Sequence, residues 1–201
     1  MNDKIILISG PSGSGKSTLI NKLMSEFENI YFSISSTTRA IRNGEKNGIN
    51  YHFISIDDFK QGIEKNEFLE WALVHGNYYG TSLKPVLNAL NEGKIVIFDI
   101  DVQGFDIAKQ KFNDKIISIF VTTKNENELK TRLLKRGTNS KDDIDFRLKN
   151  AKDEMKRIKD YDYLIINDDL ETAYNKLKSI FKSIQNKIKF INLENFIKNW
   201  S

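Results

Sequence analysis

Residues 5–17 read IILISGPSGSGKS, an apolar run followed by a glycine-rich loop. The loop fills every fixed position of the phosphate-loop (P-loop) pattern, in which glycines let backbone N–H groups turn inward around phosphates. The helix expected after it directs its positive end at the same phosphates. We therefore predict that a nucleoside triphosphate binds to Gly10, Pro11, Ser12, Gly13, Ser14, Gly15, Lys16, Ser17 and Thr18. In this pattern the lysine reaches the β- and γ-phosphates and the serine offers its hydroxyl to Mg²⁺.

Short apolar runs alternate with helical patterns along the rest of the chain. The runs predict strands at 5–9, 31–35, 51–54, 68–74, 95–100, 116–121 and 163–166. The helical patterns predict helices at 16–26, 57–65, 85–93, 103–111, 125–136, 142–159 and 170–185. Asp57 or Asp58 is the expected cap of the second helix, and Gly137 the expected stop of the fifth. This alternation indicates an α/β protein with a three-layer P-loop NTPase fold and a mainly parallel sheet.

Composition narrows the class of protein. The chain has 201 residues, a size that fits one compact domain. It contains no cysteine, which excludes disulfides, thiolate catalysis and cysteine-ligated metal centres. With 39% hydrophobic and 29% charged residues, it is neither disordered nor membrane-spanning by composition. The formal charge of +4 permits a phosphate-bearing partner without requiring one. No signal or membrane segment is visible, so a cytoplasmic protein is expected.

An acidic pair ends the most apolar predicted strand, in the sequence IVIFDID of residues 95–101. A carboxylate closing a strand is commonly a turn former. Beside a phosphate loop, however, such a carboxylate is where Mg²⁺ and its water are held. Asp99 is therefore the second predicted metal residue, together with Ser17.

Arginine is rare here, because only six of the 31 basic side chains are arginines. Arginine is therefore expected where its planar guanidinium can make two parallel hydrogen bonds, as in the binding of phosphate groups. The alternative for any one of them is an ordinary solvated position. The six are Arg39 and Arg42 after the second strand, Arg132 and Arg136 four apart on one helix, Arg147 beyond a hinge-like loop, and Arg157. We interpret the later helical region as a lid that closes on the transferred phosphoryl group.

Together these segments resemble the guanylate kinase family, whose members transfer a phosphoryl group from ATP to GMP. The resemblance covers about residues 4 to 185. Beyond the phosphate loop it rests on SSTTR at 35–39, RNGE at 42–45, GINY at 48–51, EW at 70–71, GNYYGT at 76–81, DIDVQG at 99–104, Arg132, RG at 136–137, RL at 147–148 and NDD at 167–169. Ile41 departs from the proline common at that position in the family.

The resemblance also implies roles for individual residues. Arg39, Arg42, Tyr51 and Tyr79 would hold the GMP phosphate, while Ser35, Glu70 and Thr81 would read the base, with Asp101 nearby. Asn167 would lie on the ATP side. The groups implied in transfer are Lys16, Arg39, Arg132, Arg136 and Arg147. Mg²⁺ is the implied cofactor, and ATP, GMP and, as a related acceptor, dGMP are the implied partners, with no nucleic acid or membrane.

Glu70 carries the expected base selectivity. Guanine presents two donors, N1–H and the 2-amino group, which one carboxylate can accept together. Adenine has an acceptor at N1, so a buried carboxylate facing it would be unpaired. Such a site rejects the wrong base by on the order of 10⁴-fold. Without the resemblance, Glu70 would be taken for a solvent-facing strand residue.

The resemblance implies a single domain over residues 1–201 with three parts. The core comprises about 1–34, 96–124 and 158–201. A small mixed α/β GMP-binding subdomain spans about 35–95, and a helical lid about 125–157. The apolar residues Phe190, Leu193, Phe196, Ile197 and Trp200 of the tail are expected to form a helix packed on the body, or else a self-association surface. Oligomeric state stays open.

Three other functions remain as alternatives. A regulatory GTPase would use the Asp-x-x-Gly pattern at 101–104, but the chain has no Asn-Lys-x-Asp motif to read guanine. A related scaffold module without catalysis would tend to have an eroded phosphate loop, whereas this one is intact. A basic nucleic-acid-binding protein would need a basic helix or an aromatic-interleaved patch, and neither is visible.

Overall fold

The structure is a computed structural model that describes residues 4–74, 76–135, 141–184, 186–191 and 193–200. Its strands in that part of the chain are β1 (Lys4–Ser9), β2 (Ile30–Phe32), β3 (Ser36–Thr37), β4 (His52–Phe53), β5 (Phe68–Val74), β6 (Asn77–Ser82), β7 (Ile95–Asp99), β8 (Ile116–Thr122) and β9 (Tyr163–Ile166). Its helices there are α1 (Lys16–Glu26), α2 (Ile56–Glu64), α3 (Leu83–Asn91), α4 (Val102–Phe112), α5 (Glu126–Lys135), α6 (Lys141–Met155), α7 (Leu170–Ile184) and α8 (Leu193–Lys198). None of these helices is long and apolar enough to cross a membrane.

A five-stranded parallel sheet forms the core, in the order β2-β7-β1-β8-β9. Its central strand β1 is apolar on both faces, as strands covered by helices on each side must be. Ile6 and Ile8 pack in one buried cluster with residues of α1 and α7. Ile5 and Leu7 pack in a second cluster with residues of α3 and α4. Helices therefore cover both faces of the sheet, and the predicted three-layer α/β fold is confirmed.

The strand register sets the position of the phosphate loop. Ile8 pairs with Asp99 of β7, and Ser9 pairs with Phe120 of β8. The loop after β1 therefore starts beside the carboxylate that ends β7. Ligands of parallel sheets bind at this carboxyl edge of the strands.

A second, mixed sheet has the order β4-β3-β6-β5, with β3 parallel to β4 and the other pairs antiparallel. The sequence did not predict β6, because its polar residues and central Gly80 lack the alternation of a half-buried strand. Gly80 is required by close packing: a Cβ there would lie 2.9 Å from the carbonyl oxygen of Glu70 and 3.0 Å from the ring of Phe59.

Several predicted boundaries were wrong. Two predicted strands are shorter, at Ile30–Phe32 and His52–Phe53. Helix α2 is capped by Ser55, whose hydroxyl accepts from the backbone N–H of Asp58, so Asp57 and Asp58 lie in the first turn. There the negative charges of Asp57 and Asp58 interact favourably with the positive N-terminal end of the helix. The helix predicted to reach residue 159 ends at Met155, and a short 3₁₀ turn follows.

Helices α5 and α6 pack together through a small apolar cluster formed by Leu129, Leu133, Ile144, Leu148 and Ala151. These helices correspond to the predicted lid. The predicted hinge and helix stop, including Arg136 and Gly137, lie outside the described residues.

The tail differs from the packed helix that the sequence predicted. Phe190 is buried in the cluster between the sheet and α7. In α8, by contrast, Leu193, Phe196 and Ile197 are exposed, and so is Trp200 after it. Leu193, Phe196 and Ile197 have the spacing of one helix face, but that face is exposed. Of the apolar tail residues that the structure describes, Phe190 alone joins the core.

Candidate active site

The phosphate loop takes a conformation that depends on glycine. Gly10 has a φ of 139°, and a Cβ there would lie 2.0 Å from the carbonyl oxygen of Val121. Gly15 has a φ of 94°, and a Cβ there would lie 2.2 Å from the side-chain nitrogen of Asn167. Positive φ values and close backbone contacts of this kind exclude larger residues. The loop then opens α1 at Lys16, so the positive helix end faces the loop.

Lys16 extends across the loop. Its Nζ donates to the carbonyl oxygens of Gly10 at 2.5 Å and Pro11 at 3.3 Å. It also lies 3.9 Å from Oδ1 of Asp99, at the end of β7. Burial raises the pKa of the Asp99 carboxyl, and the Lys16 ammonium partly opposes that shift. A phosphate group would give the Lys16 ammonium a charged acceptor in place of two carbonyls.

A cavity of about 290 Å³ lies over the loop. Six of the predicted loop residues line it, namely Gly10, Ser12, Gly13, Gly15, Lys16 and Ser17. The others do not, because Pro11 and Ser14 are buried and Thr18 is exposed on α1. The remaining wall contains Asp99, Ile100, Asp101 and Glu154. Sequence reasoning missed Glu154, because no motif marks an acidic residue on a strongly charged helix.

A second cavity, of about 260 Å³, adjoins the first. Both cavities are lined by Ser17 and Asp99. The predicted substrate residues Ser35 and Tyr51 line the second one. The phosphate loop and the residues that precede β3 and β4 therefore face a common point at the end of β7.

Asn167, directly after β9, stabilises the phosphate loop. It is buried, and its Nδ2 donates to the carbonyl oxygen of Ser14 at 2.8 Å. Arg132 of α5 donates to the carbonyl oxygens of Asn167 at 2.6 Å and Ser14 at 3.4 Å, and pairs with Glu128. Arg132 and Asn167, both predicted site residues, are thus hydrogen-bonded to the loop and to each other.

Arg147 of α6 also reaches the loop. Its Nη1 donates to the hydroxyl of Ser12 at 2.6 Å. The predicted partner Arg136 lies outside the described residues. Arg132 and Arg147, from two different helices, therefore converge on the loop that Lys16 crosses.

Arg39 is part of a charged and aromatic group on the second sheet. Its Nη2 donates to Oε1 of Glu45 at 2.7 Å, and its guanidinium carbon lies 5.5 Å from the ring centroid of Tyr51. Tyr51 and Tyr79 contact edge to face at 5.9 Å. Glu45 raises the pKa of Arg39, and Arg39 lowers the pKa of Glu45. Sequence reasoning included Glu45 in a matched segment but assigned it no role.

Arg42 differs from the other predicted phosphate residues, because its side chain is exposed. Its backbone N–H donates to Oε2 of Glu45 at 2.8 Å. Glu45 therefore ties together the two arginine positions of this segment.

Glu70 and Thr81 meet across the antiparallel pair β5–β6. The hydroxyl of Thr81 donates to Oε1 of Glu70 at 2.6 Å. Burial raises the pKa of the Glu70 carboxyl, the Thr81 hydrogen bond opposes this, and the negative charge of Asp101 adds to it. Asp101 also caps α4, since its Oδ1 accepts from the backbone N–H groups of Gln103 and Gly104. The solvent-facing alternative for Glu70 does not hold.

The donor set suits a hard divalent cation that keeps most of its water. Within the described residues, no group of three or more acidic or histidine side chains could enclose a metal. Ser17 and Asp99 both line the cavity over the loop. Mg²⁺ commonly binds through one or two protein oxygens, phosphate oxygens and several waters. The residues present fit that mode of binding.

Comparisons with known proteins agree on one family. A family model described as guanylate kinase matches residues 2–184. The chain is 57% identical to a guanylate kinase of Campylobacter jejuni strain RM1221, over 100% of this chain and 98% of the relative. It is 52% identical to one of Helicobacter pylori strain 26695, over 98% of this chain and 95% of the relative. The crystal structure of guanylate kinase from Anaplasma phagocytophilum superposes with a TM-score of 0.78 at 31% identity, covering 98% and 94% of the two chains.

Proposed function

This chain belongs to the guanylate kinase family, and we propose that it transfers the γ-phosphoryl group of ATP to GMP, giving ADP and GDP. One observation carries the proposal: the cavity over the phosphate loop and the second cavity share Ser17 and Asp99. A donor phosphate in the first cavity and an acceptor phosphate in the second would meet there. Transfer between two nucleotides needs that alignment and the neutralisation of charge more than any side-chain nucleophile.

The triphosphate is proposed to bind to the phosphate loop with Lys16 on its β- and γ-oxygens. Arg132 and Arg147 would turn from the carbonyl and hydroxyl oxygens that they now contact to the transferred group. Arg136 is proposed to act with them. Charged hydrogen bonds of this kind are shorter and about twice as strong as neutral ones, so phosphate oxygens compete well with Ser12 and Ser14. Asn167 would then maintain the conformation of the loop through its hydrogen bond to Ser14.

The GMP phosphate is proposed to bind between Arg39, Arg42, Tyr51 and Tyr79. Arg39 is already oriented by Glu45 and the aromatic rings, which limits the entropy lost on binding. Glu70, Thr81 and Ser35 would read guanine, with Asp101 close to Glu70. We extend the proposal to dGMP as an acceptor.

Mg²⁺ is the proposed cofactor, held by Ser17 and, through water, by Asp99. When bound it would neutralise charge on the β- and γ-phosphates. The three-part division is proposed to follow the two sheets and the α5–α6 pair, with the lid excluding water during transfer. The cytoplasm, where free ATP and GMP meet, is the proposed compartment.

The deciding experiment measures ADP formation from ATP and Mg²⁺ with GMP, AMP, UMP or CMP as acceptor. Activity with GMP alone would support both the reaction and the reading of guanine by Glu70. Activity with another nucleotide would keep the kinase and refute the base assignment. Tight ATP binding without turnover of any acceptor would favour the scaffold alternative instead.

A further inference from the structure

Among the described residues that line the phosphate cavity, Glu154 is the one charged residue that the proposed reaction leaves without a role. It lies near the end of α6, on the helix pair expected to form the lid, and lines the cavity together with Lys16, Ser17 and Asp99. Its side chain is half-buried. Within the described ranges, its carboxylate feels the charges of Lys16 and Asp101 but makes neither a hydrogen bond nor an ion pair. A half-buried carboxylate with no partner carries a desolvation cost that a bound group can remove.

The surroundings of Glu154 restrict what that partner can be. A carboxylate accepts hydrogen bonds and repels the oxygens of a triphosphate, so it cannot bind a phosphate directly. Lys16 is close enough to lower the pKa of Glu154, whereas burial and the charge of Asp101 raise it. However, the Lys16 ammonium already contacts the Gly10 and Pro11 carbonyls and Asp99, and phosphate is its better acceptor. In the proposed complex the loop N–H groups and Arg147 turn to phosphate and Ser17 turns to the cation, which leaves the waters on the cation as donors for Glu154.

Building on the proposed function, we propose that Glu154 accepts hydrogen bonds from water ligands of Mg²⁺ bound with ATP, and so acts as a positioning residue carried by the lid helix. Mg²⁺ keeps several waters because it dehydrates reluctantly, and those waters direct their hydrogens outward. Partners of metal-bound groups commonly change metal affinity by 10- to 100-fold when removed. Because Glu154 is on α6 while Ser17 and Asp99 are on the core, cation binding and lid closure would favour each other.

The test compares binding of a non-transferable ATP analogue by calorimetry, with Mg²⁺ present and with EDTA. The variant is Glu154→Gln, which keeps size and removes charge. Asp153→Asn is the matched control, because Asp153 is exposed on the same helix and pairs with Lys156 instead. We expect the Mg²⁺-dependent gain in analogue affinity to fall about tenfold in Glu154→Gln. Binding in EDTA should not weaken, since a negative charge beside the triphosphate has been removed. Asp153→Asn should behave as wild type.

An independent readout is Mn²⁺ binding to the protein–analogue complex, followed by electron paramagnetic resonance. Its apparent Kd should rise about tenfold in Glu154→Gln, and Glu154→Asp should lie between that variant and wild type. An unchanged Mg²⁺ dependence would overturn the inference. An equal loss of affinity with and without Mg²⁺ would also overturn it, because that result would mean Glu154 orients Lys16 or the fold. Failure of wild type to bind the analogue at all would refute the proposed function, and the inference with it.

Discussion

Replacing Glu70 with glutamine tests the origin of base selectivity. In the structure, Thr81 donates to Oε1 of Glu70 at 2.6 Å. The oxygen of a glutamine would keep that contact, which turns its NH₂ group toward the base. The guanine groups that would face this NH₂ group are also donors. One charge-assisted hydrogen bond of the wild-type complex is therefore lost and the other is weakened. Hydrogen bonds to charged groups contribute about 1.5–3 kcal/mol each. A total of about 3 kcal/mol corresponds to a loss of about 10²-fold in kcat/KM for GMP.

The assay couples ADP formation to NADH oxidation and compares GMP with AMP. Glu70→Gln should lose most of its preference for GMP, whereas KM for ATP should stay near wild type. Thr81→Val serves as the second variant, because it frees Oε1 while leaving the carboxylate in place. Wild-type kcat/KM for GMP in Glu70→Gln would refute the assignment of guanine reading to this carboxylate.

The same substitution has a predicted effect on stability. Burial raises the folded-state pKa of Glu70 above its ordinary value of 4.5, so the folded protein binds that proton more tightly than the unfolded chain does. Stability from this group is therefore present at low pH and lost as pH rises through the folded-state pKa. Glu70→Gln should raise Tm at neutral pH, and the difference should vanish below about pH 4. A lower Tm at neutral pH would contradict the assigned direction.

Three further predictions concern other parts of the chain. Lys16→Ala should reduce kcat by about 10³-fold or more while the circular-dichroism spectrum stays that of the folded protein, because it removes charge from the transfer site and no core contact; a kcat near wild type would exclude Lys16 from transfer. Asn167→Ala should cost about 1–3 kcal/mol in urea unfolding and weaken ATP binding, since the buried Ser14 carbonyl loses its 2.8 Å donor; equal stability would mean that Arg132 alone holds the loop. Phe190→Ala should cost about 3–5 kcal/mol, whereas deleting residues 193–201 should leave Tm almost unchanged, because Phe190 is buried while Leu193, Phe196, Ile197 and Trp200 are exposed; a large drop on deletion would show that α8 packs.

Local patterns predicted much of the fold. Helix α1 and strands β5 and β9 have the predicted bounds, since a preceding glycine-rich loop or a run of apolar residues specifies each within its own segment. Strand β6 was missed because its Gly80 is required by the close approach of Glu70 and Phe59, which come from elsewhere in the chain. The end of α6 was overestimated because charged residues continue beyond Met155 without any sequence signal for the stop.

The residues of the candidate site likewise divide into those that the sequence could identify and those that depend on distant contacts. The phosphate loop and the arginines could be identified from their own sequence, because glycine conformations and the scarcity of arginine are local properties. Glu45 and Glu154 could not be assigned roles, since each becomes relevant only through side chains that lie far away along the chain. The pairing of Glu70 with Thr81 likewise depends on the register between β5 and β6.

The sequence by itself determined where backbone conformation is constrained by neighbouring residues: the P-loop, the apolar strands of the parallel sheet and the helices that cover it. Only the tertiary structure decided which polar groups converge. The pairing of Ile8 with Asp99 brings the loop to the carboxylate, and two cavities then share Ser17 and Asp99. The physical reason is that periodicity and turn preferences act over a few residues, whereas a site depends on strand order, register and helix packing, which join distant segments.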